Sequence, residues 1–311
     1  TLTLLSTGGG KSICFQVPAL MLPGVTVVIS PLISLMTDQV QALRQKGIKA
    51  AYLASTLNAS EKRQILAEFA AGQLTLLYLS PEKFCSLNWH ELSRQVTISQ
   101  VVIDEAHCVV TWGEDFRPVY RQLATHIATF LHRPVVSAFT ATATPATQRE
   151  ILKWLQLRQP HVHAHSSRRT NLTIIVHHSW TVALKELSLW HILHHHLNHA
   201  GIIYCATRAA CEEVTVKVRR EFPQIPVEYY HAGRTGEDRS LIQDRYLKGE
   251  LQWLVSTNAF GMGVDKSDIR FVVHYQPSTS IENYFQEIGR AGRDGQPSWC
   301  YLLWREADWL I

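Results

Sequence analysis

Apolar positions along the chain fall into short uninterrupted runs that alternate with amphipathic stretches. Residues 11–22 can form a helix, and Pro23-Gly24 then turns the chain into the apolar run at 25–29. A run without polar alternation is typical of a strand buried on both faces, as in a parallel sheet. The pattern predicts further strands at 74–79, 101–103 and 135–139, and helices at 32–46 and 60–71, the last capped by Ser60.

This alternation is interrupted at 159–170, a segment that contains Pro160 and follows neither the helical period of about 3.6 residues nor the strand period of about two. Alternating strands and helices on both sides of it indicate an α/β fold, here with two lobes at 1–164 and 165–311. In such folds the loops at the carboxyl ends of the strands carry function. In the second lobe we predict strands at 172–176, 202–204, 227–230, 253–256 and 271–274, and helices at 182–199, 208–222, 238–248 and 281–289.

Composition indicates a globular chain, since 46% of the 311 residues are hydrophobic and 18% are charged. A net charge of +4 permits a nucleic-acid partner without requiring one. Residues 12–37 carry no charge, but Pro18, Pro23 and Pro31 break this segment into a helix, a turn and a strand, which argues against a membrane span. No signal peptide precedes it. The six scattered cysteines indicate buried free thiols in a reducing compartment.

Three histidines, His191, His195 and His199, are spaced four apart on the predicted helix at 182–199. This spacing could align three imidazoles for a metal ion, but an exposed polar face explains it more simply. We therefore predict no metal site at these histidines. Zinc is not expected either, because the chain has no four-cysteine set.

The segment Ser6-Thr7-Gly8-Gly9-Gly10-Lys11-Ser12 has the chemistry of a nucleotide-triphosphate cradle. Its glycines let successive N–H groups point at phosphates, and the following helix adds its positive N-terminal end. Lys11 adds a mobile charge, and the Ser12 hydroxyl can bind Mg²⁺. The strict pattern has glycine where this chain has Leu5, so a plain glycine-rich turn is the alternative.

An acidic pair, Asp104-Glu105, follows the predicted strand at 101–103. Phosphoryl transfer needs one carboxylate to hold Mg²⁺ and another to orient and deprotonate water. We assign Asp104 to the metal and Glu105 to the base. The alternative is a surface turn after a strand.

Three segments resemble motifs of superfamily 2 helicases, specifically of the RecQ family: 6–12, Asp104-Glu105-Ala106-His107, and the segment 286–295 that begins Gln286-Glu287-Ile288-Gly289-Arg290. Further matches follow in the family's order at 30–32, 140–144, 230–233 and 258–265. The resemblance implies two tandem RecA-like lobes of the P-loop NTPase type. The lobe at 1–164 would then be the ATP-binding domain and the lobe at 165–311 the helicase C-terminal domain.

The segment 107–120 resembles the aromatic-rich loop that marks the RecQ family. Trp112 and Phe116 can stack on unpaired bases, and Arg117 can meet a phosphate or a ring. A buried aromatic cluster is the alternative. In the family, the residue at His107 links nucleotide state to this loop.

The resemblance also assigns roles in the second lobe, where Arg290 and Arg293 lie three apart near the end of a predicted helix. It implies that Arg293 is an arginine finger, with Arg290 as a supporting contact and Gln286 facing the nucleotide. A basic helix terminus satisfying its own carbonyls is the alternative. Thr140 and Thr142 resemble the motif that couples hydrolysis to strand movement. The family places the following residues along a single-strand track: Ser30, Ser80, Thr207, Arg208, Ser256 and Thr257.

Some family features are absent from this sequence. Ala206-Thr207 stands where the family usually has Asn-Ser, and no proline precedes Asn171. The glutamine motif that reads adenine would precede Thr1, so ATP over GTP is inferred from the family alone. The zinc-binding and winged-helix regions would follow residue 311, and the sequence therefore suggests a piece of a longer protein.

The phosphate loop and the acidic pair predict a nucleoside-triphosphate hydrolase. The resemblance implies an ATP- and Mg²⁺-dependent, 3′ to 5′ DNA helicase core of RecQ type that acts on single-stranded and forked DNA in recombination, repair or replication. An RNA helicase and a nucleotide-gated nucleic-acid clamp without unwinding activity are the alternatives. The expected location is the cytoplasm if the source is bacterial and the nucleus if it is eukaryotic.

Overall fold

The computed structural model describes residues 1–6, 9–111, 118–164, 169–260 and 266–310. The chain divides into two compact units, Thr1–Ser167 and Arg168–Ile311. The predicted division between residues 164 and 165 lies close to this one and stays a prediction, because 165–168 are outside the described residues.

The first unit is an α/β layer structure in which a short 3-10 helix, Pro118–Gln122, adds to the regular helices. Its strands are β1 (Leu2–Leu4), β2 (Val25–Ile29), β3 (Ala50–Leu53), β4 (Leu76–Leu79), β5 (Ile98–Ile103), β6 (Val135–Thr140) and β7 (Val162–Ala164). Its helices are α1 (Lys11–Met21), α2 (Ile33–Gln45), α3 (Ala59–Ala70), α4 (Pro81–Cys85), α5 (Trp89–Gln95), α6 (Cys108–Thr111), α7 (Leu123–Ile127) and α8 (Pro145–Trp154).

The seven strands form one sheet in the order β3-β4-β2-β5-β6-β1-β7, and every described pair is parallel. All five residues of β2 are buried, as its uninterrupted apolar run predicts. Val27 and Ile29 belong to the core on one face of the sheet, whereas Val28 packs with Phe15 and Met36 on the other. The period-two alternation of strand side chains therefore builds a core on both faces.

The predicted N-cap of α3 is wrong by two residues. Asn58, rather than Ser60, caps the helix: its side chain accepts a hydrogen bond from the Glu61 amide at 2.9 Å, and the Glu61 carboxylate accepts one from the Asn58 amide at 2.8 Å. This reciprocal capping box satisfies two amides that the first turn leaves unpaired. Ser60 consequently lies inside the first turn.

The second unit repeats the architecture and ends in a short 3-10 helix, Glu306–Leu310. Its strands are β8 (Leu172–His178), β9 (Ala200–Tyr204), β10 (Val227–Tyr230), β11 (Trp253–Ser256), β12 (Ile269–His274) and β13 (Ser298–Trp304). Its helices are α9 (Val182–His195), α10 (Arg208–Glu221), α11 (Gly236–Leu247) and α12 (Ile281–Ile288). The strands lie in the order β10-β11-β9-β12-β13-β8, again with every described pair parallel.

Helix α9 ends at His195, four residues earlier than predicted. His196 turns inward instead: its ring stacks on Phe271, and its Nε2 lies 3.0 Å from the Tyr301 hydroxyl. His199 therefore lies beyond the helix, and the predicted face of three histidines does not form. Among the described residues no group of three or more His, Cys, Asp or Glu side chains could hold a metal ion.

All six cysteines are free, and four of them are buried. Cys14 is exposed on α1, contrary to the prediction of burial. The uncharged segment 12–37 is divided among α1, β2 and the start of α2, and none of the described helices is long and apolar enough to cross a membrane.

Candidate nucleotide and nucleic-acid site

The glycine-rich loop lies between β1 and α1, at the carboxyl edge of the first sheet. Gly10 has φ +83°, a conformation that glycine adopts without strain. The Gly9 amide donates to the Ser6 carbonyl at 2.8 Å, and a Cβ on Gly9 would lie 2.9 Å from that oxygen. Both glycines are thus required by local geometry. Thr7 and Gly8 lie outside the described residues.

Lys11 and the acidic pair come together at this edge because β5 and β1 both end there. Lys11 Nζ donates to Glu105 Oε1 at 3.0 Å. The Asp104 carboxylate is only 4% exposed, and burial together with the neighbouring Glu105 charge raises its pKa to about 6. A buried carboxylate of this kind favours a nearby cation. Asp104 and the Ser12 hydroxyl offer the oxygen ligands that Mg²⁺ prefers, so these residues fit a magnesium–nucleotide complex.

Glu105 has φ +49°, in the left-handed region that few non-glycine residues adopt. Its backbone amide donates to Asp104 Oδ1 at 2.9 Å, which fixes the Asp104 carboxylate relative to the Glu105 backbone. Strained backbone persists where the surrounding structure compensates for it, and it is concentrated at functional sites. This conformation supports a functional reason for the geometry of the acidic pair.

His107 connects the acidic pair to the strand end at Thr140. Its Nδ1 lies 3.4 Å from Glu105 Oε2 and 2.9 Å from Thr140 Oγ1. The Thr140 hydroxyl itself donates to the Thr142 carbonyl at 3.1 Å, so His107 Nδ1 must be the donor in its contact with Thr140. His107 therefore hydrogen-bonds with Thr140 and lies within ion-pair distance of Glu105, so motifs that are separate in the sequence meet at this side chain.

Two glutamines near the loop were missed by the sequence reasoning. Gln39 Nε2 donates to Ser12 Oγ at 3.2 Å, and Gln16 Nε2 donates to the Tyr78 hydroxyl at 3.1 Å. Gln39 could have been found, because it lies between Met36 and Leu43 on the inward-facing stripe of α2, where a polar side chain needs a partner.

In the second unit, α12 ends at Ile288, one residue earlier than predicted, and Arg290 and Arg293 lie in the turn that follows it. Arg290 is buried and hydrogen-bonds with Tyr204. Burial raises the pKa of Tyr204 to about 12, while Arg290 and Arg293 act to lower it. Gln286 lies on the last turn of α12.

The turn after α12 is held by Arg169 and Asn171, which sequence reasoning did not assign to the site. Arg169 Nη2 donates to the Gly292 carbonyl at 2.6 Å, and Asn171 Nδ2 donates to the same carbonyl at 2.9 Å. Gly292 has φ +56°, and a Cβ there would lie 2.5 Å from Asn171 Nδ2. Glycine is therefore required at position 292, between the two arginines that are predicted to contact the nucleotide.

Helix α12 is also held by Glu287, which is 7% exposed. Its Oε2 accepts hydrogen bonds from Ser278 Oγ at 2.5 Å and from His274 Nε2 at 2.8 Å. The hydrogen bond with His274 fixes α12, the helix that carries Gln286, against the end of β12.

The predicted DNA contacts lie at strand ends and helix starts. Ser80 and Thr207 cap α4 and α10 by accepting from the Lys83 and Ala210 amides. Arg208, at the start of α10, is exposed.

The other hydroxyl residues among the predicted DNA contacts are buried. Ser30 and Ser256 are 1% and 0% exposed, and Ser256 Oγ donates to the Tyr230 carbonyl at 2.8 Å. Thr257 is 7% exposed, and its hydroxyl accepts from the Ala259 amide. Direct DNA contact by these residues stays a prediction. Trp112, Phe116 and Arg117 lie outside the described residues.

Comparison with known proteins identifies helicase domains in both units. A family model described as DEAD/DEAH box helicase matches residues 1–151, and one described as helicase conserved C-terminal domain matches residues 183–295. The chain is 42% identical over 311 residues to the ATP-dependent DNA helicase RecQ of Bacillus subtilis, covering 100% of this chain and 52% of that protein. It is also 42% identical over 315 residues to RecQ of Pasteurella multocida, covering 100% of this chain and 48% of that protein.

A solved structure, the DUF1998 helicase MrfA bound to DNA, has the same fold, with a TM-score of 0.80, 18% identity and coverage of 100% of this chain and 45% of that one. The chain spans about half the length of the RecQ relatives just described. With its two parallel-sheet lobes, its helicase domains in the family's order and 42% identity along its whole length, this chain belongs to the RecQ family of superfamily 2 helicases.

Proposed function

We propose that this chain is the motor core of an ATP-dependent DNA helicase that moves 3′ to 5′ along a single strand and unwinds forked DNA in recombination, repair or replication. The observation that carries the proposal is the Lys11–Glu105 contact of 3.0 Å beside the buried Asp104, at the carboxyl edge of a parallel sheet. It brings together the residue types that nucleoside-triphosphate hydrolysis needs: a cation for the phosphates, a carboxylate for Mg²⁺ and a carboxylate that can activate water.

In this proposal the loop at 7–10 and Lys11 hold the phosphates, and Ser12 and Asp104 hold Mg²⁺. The bound metal would neutralise charge that develops on the phosphate oxygens. Glu105 takes a proton from the attacking water, and its fixed backbone conformation keeps the carboxylate oriented for that step. Phosphate binding would draw Lys11 away from Glu105 and free the carboxylate for the water.

The second lobe would complete this site in the closed state. Arg293 is the proposed finger, with Gln286 and Arg290 as supporting contacts, because a guanidinium brought to the γ-phosphate stabilises the transition state only when it is aligned.

Base stacking by Trp112 and Phe116 with Arg117, and phosphate contacts by the strand-end residues, would supply sequence-independent DNA binding. His107, which hydrogen-bonds with Thr140 and lies 3.4 Å from Glu105 Oε2, offers a direct route by which nucleotide state affects the DNA-facing segments. Thr142, whose carbonyl receives the Thr140 hydroxyl, would transmit the change.

The test is ATP hydrolysis with and without single-stranded DNA. Lys11→Ala and Glu105→Gln should each abolish DNA-stimulated turnover, and Glu105→Gln should still bind nucleotide. Undiminished turnover in either variant contradicts the assignment. Equal stimulation by an RNA oligonucleotide of the same sequence would instead indicate an RNA helicase, because the 2′-hydroxyl distinguishes the two. Turnover without strand separation on a forked duplex, with the full-length protein, would indicate a nucleotide-gated clamp.

A further inference from the structure

Gln39 lies beside the predicted metal-binding hydroxyl of Ser12 and is held there by the core. Its neighbours on the same face of α2, Met36, Val40 and Leu43, are at most 4% exposed. The Gln39 amide nitrogen donates to Ser12 Oγ at 3.2 Å. The oxygen of the same side-chain amide, Oε1, is buried and has no hydrogen-bond partner within the described part of the chain.

An unpartnered buried acceptor next to a hydroxyl calls for a physical explanation, because buried polar atoms are normally hydrogen-bonded. A serine hydroxyl that binds a metal ion gives a lone pair to the metal, and its proton must then be donated elsewhere. In the present arrangement Ser12 Oγ accepts from Gln39, so its lone pair faces the amide. The acceptor that a metal-bound hydroxyl would need is the unused Gln39 Oε1.

Half a turn of the Gln39 amide about its terminal torsion exchanges the two atoms. This torsion is broad and roughly two-fold, and the amide oxygen and nitrogen have nearly the same size, so the exchange needs no movement of α2. The same side chain can therefore serve both states of Ser12: it donates to the free hydroxyl and accepts from the metal-bound one.

We propose that Gln39 is a positioning residue for the magnesium–nucleotide complex, accepting the hydrogen bond of the Ser12 hydroxyl when that hydroxyl binds the metal. The inference rests on the proposed function, which places Mg²⁺ at Ser12. It extends that function by placing the second partner of this hydroxyl on α2, seven residues after the segment 30–32 with its predicted DNA contact at Ser30. Such outer partners orient metal ligands and tune metal affinity.

The experiment measures equilibrium binding of a fluorescent, non-hydrolysable ATP analogue to the 311-residue chain, once with EDTA and once with saturating Mg²⁺. The wild type should bind more tightly with Mg²⁺. In Gln39→Leu this gain should fall about tenfold, while affinity in EDTA stays within about twofold. Gln39→Glu keeps an acceptor but has no donor, and it should retain the gain.

Gln16→Leu is the matched control, because Gln16 also lies near the loop and donates its amide to a hydroxyl oxygen, that of Tyr78. It should leave the Mg²⁺-dependent gain unchanged. The inference is overturned if Gln39→Leu keeps the gain, if it loses affinity equally in EDTA and Mg²⁺, or if Gln39→Glu loses as much as Gln39→Leu. A wild-type chain that binds no nucleotide overturns the proposed function and this inference together.

Discussion

The buried ion pair between Lys185 and Asp308 gives a quantitative test of how the second lobe is held together. Lys185 Nζ lies 2.6 Å from Asp308 Oδ2, and the two side chains are 2% and 4% exposed. Burial lowers the pKa of Lys185, whereas its hydrogen bond with Asp308 acts to raise it. The pair joins α9 to the 3-10 helix that follows β13.

Lys185→Met should therefore destabilise this lobe strongly, because it leaves the Asp308 carboxylate buried without its cation. Breaking one side of a buried pair costs about 3–5 kcal/mol. The Arg305 amide still donates to Asp308 at 2.7 Å, so we expect a value near the lower end, about 3 kcal/mol. For a domain of this size, that corresponds to a fall in the midpoint of thermal unfolding of about 10 °C.

The assay is thermal and urea unfolding of wild type, Lys185→Met and the double variant Lys185→Met/Asp308→Leu. The double variant should recover most of the stability lost in Lys185→Met, because it replaces the ion pair with two apolar side chains of similar volume and leaves no unpaired charge buried. Lys217→Met is the control: Lys217 also pairs with two glutamates, but its side chain is 34% exposed, and the expected loss is below about 1 kcal/mol. Equal losses in Lys185→Met and Lys217→Met, or no recovery in the double variant, would refute the reasoning.

Three further predictions concern pH, backbone geometry and DNA coupling. Burial, with the nearby His199 and His195, lowers the pKa of His196 to about 4 from an unfolded value of 6.5. Stability should therefore be fully present above pH 6.5 and fall by about 3 kcal/mol as pH drops towards 4. His196→Gln should flatten this slope in thermal unfolding at a series of pH values, and an unchanged slope would show that His196 is not its source. Gly292→Ala places a Cβ 2.5 Å from Asn171 Nδ2 at a positive φ, so we expect a loss of roughly 1–3 kcal/mol and reduced DNA-stimulated ATP hydrolysis; unchanged unfolding would show that the turn relaxes freely. Trp112→Ala should leave nucleotide binding intact and remove stimulation of hydrolysis by single-stranded DNA. Stimulation equal to that of the wild type would show that the aromatic-rich segment 107–120 has only a structural role.

Three strands, β2, β10 and β11, were predicted with the bounds that the structure has, whereas β1, β3, β7 and β13 were not predicted. β2 was predicted with its exact bounds, 25–29, because every one of its residues is apolar or buried. β1 and β7 have three residues each, too few for any period to appear. They form because β6 and β1 offer a parallel partner at matching register, which is a tertiary property.

For the site, residue type and spacing identified the loop and the acidic pair but not how they contact each other. The 3.0 Å contact from Lys11 to Glu105 depends on the order of strands in the sheet, which local sequence does not encode. The position of Gln39 on α2 could have shown that its side chain needs a partner, but not that the partner is Ser12, which is 27 residues earlier in the chain. The roles given to Arg290 and Arg293 stay predictions, resting on family resemblance.

The position of β1 also has a consequence for how the protein is made. Leu2–Leu4 pairs with β6 and β7, so this strand obtains both of these partners only after residue 164 has been added. At ordinary rates of translation this delay is about 10–30 s, during which the phosphate loop has no strand to anchor it. Such distant pairing slows folding and leaves an unpaired edge exposed on the nascent chain. Nucleotide binding should therefore appear on the ribosome only once the whole first lobe has emerged, and chaperones that shield strand edges should increase the yield of active protein.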